Sequence, residues 1–433
     1  MQKRILFPAL LVLFFPLFFS CKKSENHPSD PDKPLVMSIS GVNPSNPAAG
    51  SLLTIQGKGF GTDTSRIKVT LNGQPVQMLA INDTSIKITI PANILTGGSQ
   101  TFTLELEDGP VILAQTQITV HFVEPKGWYY ASYIPISAGG GSPIFKQIIF
   151  PTDSIGYVVR EKYLYRTVDG AETWKGDNNN GGFGLGNAVA SFDGNHVWNE
   201  FGADIFSSSD GTTWANSQLD TISTIPGIHT YVIEGLHMSS ATNGQLMTPS
   251  KLFYINGSFA PKDISPEYQS IYSSTDANFQ RLSNVDELNL MIAGFATIGG
   301  ATQAIIVQEK AGTFTEYPVS AISTAGFSLP ALQLADANTA YLADGNNDIF
   351  KMTGPANWAR LNQKATALYF KDANNGYAAY SGIIYQTSDG GSSWQTAFTL
   401  RTGETIHSMT GRNGKIWALG NDATQGIIVK FNP

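Results

Sequence analysis

The sequence predicts an all-β chain, and three observations carry that prediction. Short runs rich in Val, Ile, Thr and aromatic residues are separated by Gly, Asn, Asp and Pro turns along most of the length. Glycine is abundant, with 43 in 433 residues, beside 24 Phe, 16 Tyr and 7 Trp. A short acidic-glycine motif ending in Trp recurs through the C-terminal two thirds. Apolar residues make up 42% and charged residues 14%, enough for large cores and too ordered a composition for disorder. The net charge is −7 and no Lys/Arg stripe occurs, which argues against a nucleic-acid partner.

The N-terminus sets the address. Met1-Gln2-Lys3-Arg4 is followed by the apolar run Ile5–Phe19, which Pro8 and Pro16 interrupt. The run is too short and too broken for a membrane-spanning helix. It ends in Ser20-Cys21, and Cys21 is the only cysteine. "FFSC" resembles the signal of Bacteroidetes-type lipoproteins, with Phe18 where Leu is usual and Leu17 one place earlier. The resemblance implies removal of residues 1–20, lipidation of Cys21 and anchoring in the outer membrane, on its surface or periplasmic side. An ordinary secretory signal is the plainer alternative. Several acyl chains on one residue, at about 0.8 kcal/mol per buried methylene, hold a protein stably on a bilayer. With one cysteine the fold has no internal disulfide and rests on packing. Residues 21–34 read as the lipidated Cys and a polar, Pro-rich tether.

Residues 35–124 read as a small β domain. "VMSISG", "LLTIQGKGFG", "IKVTLNG", "SIKITIP", "FTLEL" and "TQITVHF" are the strand runs, and Asn72-Gly73 is one of the turns between them. The spacing suggests an immunoglobulin-like sandwich. "ISGVNPSNPAAGSLLTIQGKGFG", "VTLNGQPV" and "SIKITIP", in this order, resemble the IPT/TIG family of immunoglobulin-like domains. The resemblance implies a spacer or interaction module and brings no catalytic residue. Gly57, Gly59 and Gly61 lack the helix and Lys of a phosphate loop and fit a bent strand corner.

From 127 to 433 the chain repeats. "YRTVDGAETW" (165–174), "FSSSDGTTW" (206–214) and "YQTSDGGSSW" (385–394) are copies, and "YSSTDANF" (272–279) is a degenerate one. Upstream of them lies a strand–turn–strand element with an aromatic or Leu early in the second strand: Tyr157, Trp198, Leu246, Tyr341, Tyr377 and Trp417. Trp174 and Trp214 are 40 residues apart, and Trp358 and Trp394 are 36 apart. Four-stranded units at this period predict a β-propeller. The units fall at 144–180, 184–222, 230–266, 268–322, 326–362 and 365–399. A seventh combines 403–433 with Gly127–Ile136. Counts of six and eight also fit the spacing.

The repeat resembles the Asp-box of BNR-type propellers, which include sialidases, xyloglucan-acting endo-glucanases and the photosystem II assembly factor family. Its positions are Thr167, Asp169, Gly170 and Trp174; Ser208, Asp210, Gly211 and Trp214; and Thr387, Asp389, Gly390, Gly391 and Trp394. Ala171 replaces the second glycine in the first copy, and the second copy is one residue short. The chemistry is that of a turn. The Asp carboxylate accepts N–H groups of its own loop, Gly supplies positive φ, and Trp packs inward. Catalysis needs one carboxylate pair, whereas a turn is needed in each blade.

The sequence holds no pattern of a reactive site. The arginines Arg160, Arg401 and Arg412 are candidates to converge, beside Arg166, Arg281 and Arg360. Glu161, Glu200, Asp204, Glu234 and Glu404 are candidate carboxylates with no spacing that selects a pair. The six histidines are scattered, no calcium loop or G-x-S-x-G elbow occurs, and "GDNNNGG" (176–182) reads as a solvated loop. No metal or other cofactor is expected. Trp128-Tyr129-Tyr130 is open to either strand packing or binding. The function that fits is noncatalytic binding of a glycan or an envelope protein through the propeller's loop face. A BNR-type glycoside hydrolase and an envelope scaffold are the alternatives.

Overall fold

The computed structural model describes residues 36–433, apart from 46, 92–93, 95–99, 122–123, 136–144, 161–162, 178–187, 202–203, 217–232, 257–261, 264–276, 318, 320 and 354–357. Cys21 with the signal and tether, Glu161 and most of "GDNNNGG" lie outside the described residues. The fold is all-β, an immunoglobulin-like domain followed by a β-propeller, with no α-helix among the described residues.

The first domain holds eight strands: β1 (Ser38–Asn43), β2 (Leu52–Lys58), β3 (Lys68–Leu71), β4 (Gln74–Val76), β5 (Met78–Asn82), β6 (Ser85–Thr89), β7 (Gln100–Asp108) and β8 (Val111–Val120). They form two sheets, ordered β1-β2-β6-β5 and β4-β3-β7-β8. Alternation sets which face is buried: in β6, Ile86 and Ile88 point inward and Lys87 outward. They meet Leu53 and Ile55 of β2 and Leu104 and Leu106 of β7 in one core. The six runs read from sequence omit β4 and β5 as separate strands. Asn72 (φ 49°) and Gly73 (φ 75°) turn β3 back onto β4 with the positive dihedrals of a tight hairpin. At the corner after β2, a Cβ on Gly57 would lie 1.9 Å from the Ser38 carbonyl oxygen, so no side chain fits.

Seven further four-stranded antiparallel sheets follow. β9 (Gly127–Pro135) leads into β10 (Phe145–Ile149), β11 (Gly156–Arg160), β12 (Tyr163–Thr167) and β13 (Lys175–Asp177), which form the first sheet. The second is β14 (Val189–Ser191), β15 (Val197–Phe201), β16 (Asp204–Ser208) and β17 (Ala215–Asn216). The third is β18 (Gly235–Met238), β19 (Gly244–Met247), β20 (Leu252–Ile255) and β21 (Lys262–Asp263). The fourth is β22 (Asn278–Asp286), β23 (Asn289–Ile298), β24 (Ala301–Lys310) and β25 (Thr313–Tyr317). The fifth is β26 (Ala331–Asp336), β27 (Thr339–Ala343), β28 (Asp348–Thr353) and β29 (Trp358–Lys364). The sixth is β30 (Ala367–Phe370), β31 (Gly376–Tyr380), β32 (Ile383–Thr387) and β33 (Gln395–Thr399). The last joins β34 (Thr405–Arg412), β35 (Lys415–Asn421) and β36 (Gln425–Asn432) to β9.

The first strands of these sheets touch in a closed cycle, β10 to β14, β18, β22, β26, β30, β34 and back to β10. Closure is made by β9, which pairs with β36 from Gln425↔Pro135 to Asn432↔Gly127. A single blade leaves both faces apolar, and neighbours cover them. The core between the last and first sheets joins Trp417, Leu419 and Ile428 to Phe145, Ile148 and Val158. Side chains latch the ring at the axis. Gln147 Oε1 accepts Val189 N–H (2.9 Å), Ser283 Oγ accepts Leu334 N–H (2.8 Å), and Ser408 Oγ accepts Ile148 N–H (3.2 Å). Gln333 takes both polar groups of Phe370, accepting its N–H (2.6 Å) and donating to its carbonyl (2.8 Å).

One sequence assignment is corrected. The described end of "YSSTDANF" is no outer-strand hairpin: Asn278-Phe279 opens the axial strand β22, and Phe279 is fully buried, while residues 272–276 lie outside the described residues.

Candidate functional site

The Asp-boxes lie at the β12–β13, β16–β17 and β32–β33 hairpins, between the third and fourth strands of their blades. Asp389 accepts N–H (2.9 Å) and Oγ–H (2.6 Å) from Ser393 and a hydroxyl from Thr387 (2.9 Å). Asp169 does the same with Thr173 N–H (2.9 Å) and Thr167 Oγ1 (2.7 Å), and Asp210 with Thr212 N–H (2.7 Å) and Thr213 N–H (2.6 Å). The Ser393 bonds hold the Asp389 carboxyl down at about 2. Gly170 and Gly390 take positive φ (77° and 70°), and Ala171 (φ 84°) adopts the conformation that Gly391 (φ 88°) provides in the third copy.

The second-strand aromatics have a role that the recurrence did not reveal. Where the next blade carries an Asp-box, as after Tyr157, Tyr341 and Trp417, the aromatic receives it. Trp417 Nε1 donates to the Gly170 carbonyl (3.2 Å), and Lys430 adds a second bond (2.9 Å). Tyr341 Oη and Lys351 Nζ do the same for Gly390 (3.4 and 3.1 Å). The axial Phe150 stacks on Trp417 (3.9 Å, 6°) and meets Trp174 edge-on (6.1 Å). Phe370 repeats this between Tyr341 (3.4 Å, 5°) and Trp394 (6.1 Å). The motif Trp residues therefore pack between blades. Trp128 joins them against Tyr377 (5.4 Å) and Phe431 (5.6 Å), so its place is in the packing.

The arginines do not converge. Arg160 pairs with Phe145 and Tyr163 at the end where axial strands begin, and its guanidinium lies over both rings (5.7 and 5.5 Å). Arg401 sits at that same end, over Tyr130 (4.4 Å). Arg412 lies at the opposite end, in the β34–β35 hairpin, 3.7 Å from Asp153. Arg166 Nε reaches Tyr157 Oη (3.0 Å), and Arg360 pairs with Asp348 (2.7 Å). The carboxylates are also apart. Glu200 is buried and accepts Ile233 N–H (3.1 Å). Glu404 is buried and accepts the Tyr130 hydroxyl (2.5 Å) and Arg401 N–H (2.9 Å). Asp204 opens β16.

Glu234 is different. It stands at the threshold of β18 and lines a channel of about 600 Å³ along the propeller axis. All seven axial strands contribute to the wall, which includes Lys146, His237, Arg281, Tyr369 and His407. Burial pushes the Glu234 carboxyl up, and Arg281 and Lys146 pull it back. Burial holds His237 and His407 below the ordinary imidazole range, so both are neutral at pH 7. Arg281 is held by its Nε on the Pro330 carbonyl (3.2 Å) and its Nη1 on the Gln280 carbonyl (2.7 Å). In the sequence Glu234 and Arg281 stand as separate candidates. Only the ring brings residues 47 positions apart to one opening. Among the described residues no cluster of three metal-ligating side chains occurs, and no helix is long and apolar enough to cross a membrane.

The family model of the IPT/TIG domain matches residues 36–122. No curated protein is significantly similar in sequence. Among solved structures, YCF48 from Cyanidioschyzon merolae aligns with TM-score 0.53 and 16% identity over 71% of this chain and 99% of that one. YCF48 bound to D1 peptide aligns with TM-score 0.52 and 14% identity, over 72% and 98%. The WD40 propeller domain of Doa1 aligns with TM-score 0.50 and 12% identity, over 70% and 97%. At these identities the likeness is one of fold. The chain thus carries an IPT/TIG domain followed by a β-propeller.

Proposed function

We propose that this is a noncatalytic binding protein of the cell envelope, anchored to the outer membrane through Cys21, that takes part of a glycan or of an envelope protein at the channel mouth. The observation that carries the reading is the mouth itself. It is a polar opening lined by Arg281, Lys146 and Glu234, while the other two candidate carboxylates with described side chains, Glu200 and Glu404, are occupied in hydrogen bonds of the fold. A concave site with a few convergent polar groups is the usual form of a ligand pocket. The peptide held by the YCF48 propeller supports a protein partner on this fold.

The test combines a glycan array, a pull-down from solubilised envelopes and a reducing-sugar assay on residues 22–433. Binding that Lys146→Glu weakens, with no sugar released, supports the reading. Turnover of a polysaccharide or aryl glycoside, or binding indifferent to the mouth, overturns it.

A further inference from the structure

The fourth sheet departs from the others. Its strands β22, β23 and β24 run to 9, 10 and 10 residues, against 5 each for β10, β11 and β12. Arg281 is the first channel-lining residue of β22, and residues 278–280 precede it, so this part of the excess stands above the mouth as a raised edge. Against it packs the segment from Ser323 to Leu329, which contains a short 3-10 turn at Ala325–Phe327.

Phe327 is the exposed tip of that segment. It is 61% exposed and holds φ at 46°, in the left-handed region that bulky side chains avoid. The surroundings enforce this. Gln280 donates to the Phe327 carbonyl (2.7 Å) and accepts Leu329 N–H (3.0 Å), and Ser323 N–H bonds Asp344 (3.0 Å). Gly345 lies so close to the Ala325 carbonyl oxygen that a Cβ would be 1.9 Å away. Phe295 meets the ring edge-on at 6.1 Å. A large apolar ring is thus presented to solvent on a backbone held by Gln280, whose chain neighbour Arg281 bonds the Pro330 carbonyl three residues beyond Phe327. The Nη2 of Arg281 makes no hydrogen bond among the described residues, and the residue is half-buried, which pushes its guanidinium down while Glu234 opposes that shift. Lys146 is exposed on the same channel wall.

We propose that the mouth recognises an acidic peptide segment, with a ligand carboxylate taken by Arg281 and Lys146 and an adjacent apolar side chain packed on Phe327. This rests on the binding function proposed above and assigns its ligand class. Two cations face one carboxyl, Glu234, which burial biases toward its neutral form, so an anion is the complement. A preorganised aromatic on a segment anchored by the strand that carries a guanidinium supplies the residue types from which protein-binding hot spots are built, and preorganisation lowers the ordering cost of binding.

The test uses a synthetic pentapeptide array covering each pairing of one acidic with one apolar residue, followed by fluorescence anisotropy on the strongest binder. Oligogalacturonates serve as the carboxylate-bearing glycan probe. Phe327→Ala and Lys146→Gln, both at exposed side chains, are expected to weaken peptide binding about 10-fold or more with unchanged melting temperature. Arg281→Gln should weaken it further, amidating the ligand's acidic residue should abolish it, and raised salt should weaken it in the wild type. Absence of peptide binding, or binding without acidic preference, overturns the proposal. Tight oligogalacturonate binding without peptide binding overturns the ligand class and leaves the binding function standing. Loss of both, with catalysis present, overturns the function itself.

Discussion

Lys430→Met tests how the ring and the domain junction are held together. Lys430 is fully buried, and its ammonium touches Glu124, just before the propeller, the Gly170 carbonyl of the first Asp-box (2.9 Å) and the Trp417 ring (5.5 Å). Burial pushes the ammonium down and Glu124 opposes that shift, so the site costs solvation that only its partners offset. Met fills the same volume and removes the charge, leaving little cavity. Neither partner is then orphaned: Glu124 is 22% exposed and keeps Lys415 (3.4 Å), and Gly170 keeps Trp417 Nε1 (3.2 Å). The loss is that of one charged hydrogen-bond set, about 2 kcal/mol. Glu124→Gln is the worse change, about 3 kcal/mol, because it leaves a buried ammonium without its counter-charge. The double variant should fall short of the sum by at least about 1 kcal/mol, since each removes what the other answers. Urea unfolding followed by Trp fluorescence, with unchanged m, reads all three. A Lys430→Met protein as stable as wild type, or strict additivity, would refute the reasoning.

The Asp389 carboxyl lies near 2 when folded, against 3.8 for an ordinary Asp. Its stabilisation is present above about pH 4 and lost as pH falls through 2, and Asp389→Ala should flatten that part of an acid-unfolding curve. Gln333→Leu removes two bonds across the β26–β30 junction and should cost about 2 kcal/mol in urea; no change in midpoint would mean water replaces the latch. Cys21→Ser should move the protein from the membrane to the soluble fraction in cells expressing it, and continued membrane retention would exclude acylation as the anchor.

The Asp-box was legible because its chemistry is local: Thr387, Asp389, Gly390 and Ser393 satisfy one another within one loop. The same holds for Asn72-Gly73. The second-strand aromatics were visible as a recurrence, yet three of them find their partner in the next blade's Asp-box, so Tyr341 and Gly390 meet only in the ring. Phe279 shows the reverse error, a local likeness to the motif placed on an axial strand. The mouth was not legible at all. Lys146, Glu234 and Arg281 share no motif and are joined only by closure of seven sheets. Phe327 carried no signal either, since its conformation is imposed by Gln280 and Gly345 from other segments.

The pairing of β9 with β36 has a mechanical consequence. The chain arrives at the Gly127 end of β9, the end that carries the Asp-box hairpins, and the mouth lies near the Pro135 end. Nine residues of strand separate the two, on the order of 30 Å. A ligand tugged at the mouth against an N-terminal tether would load β9 along its own axis. The hydrogen bonds of the seam would then share the force in shear, where a perpendicular pull would open them one at a time. Single-molecule pulling between the N-terminus and a mouth-side handle should therefore give a high rupture force, and stepwise opening at low force would contradict this geometry.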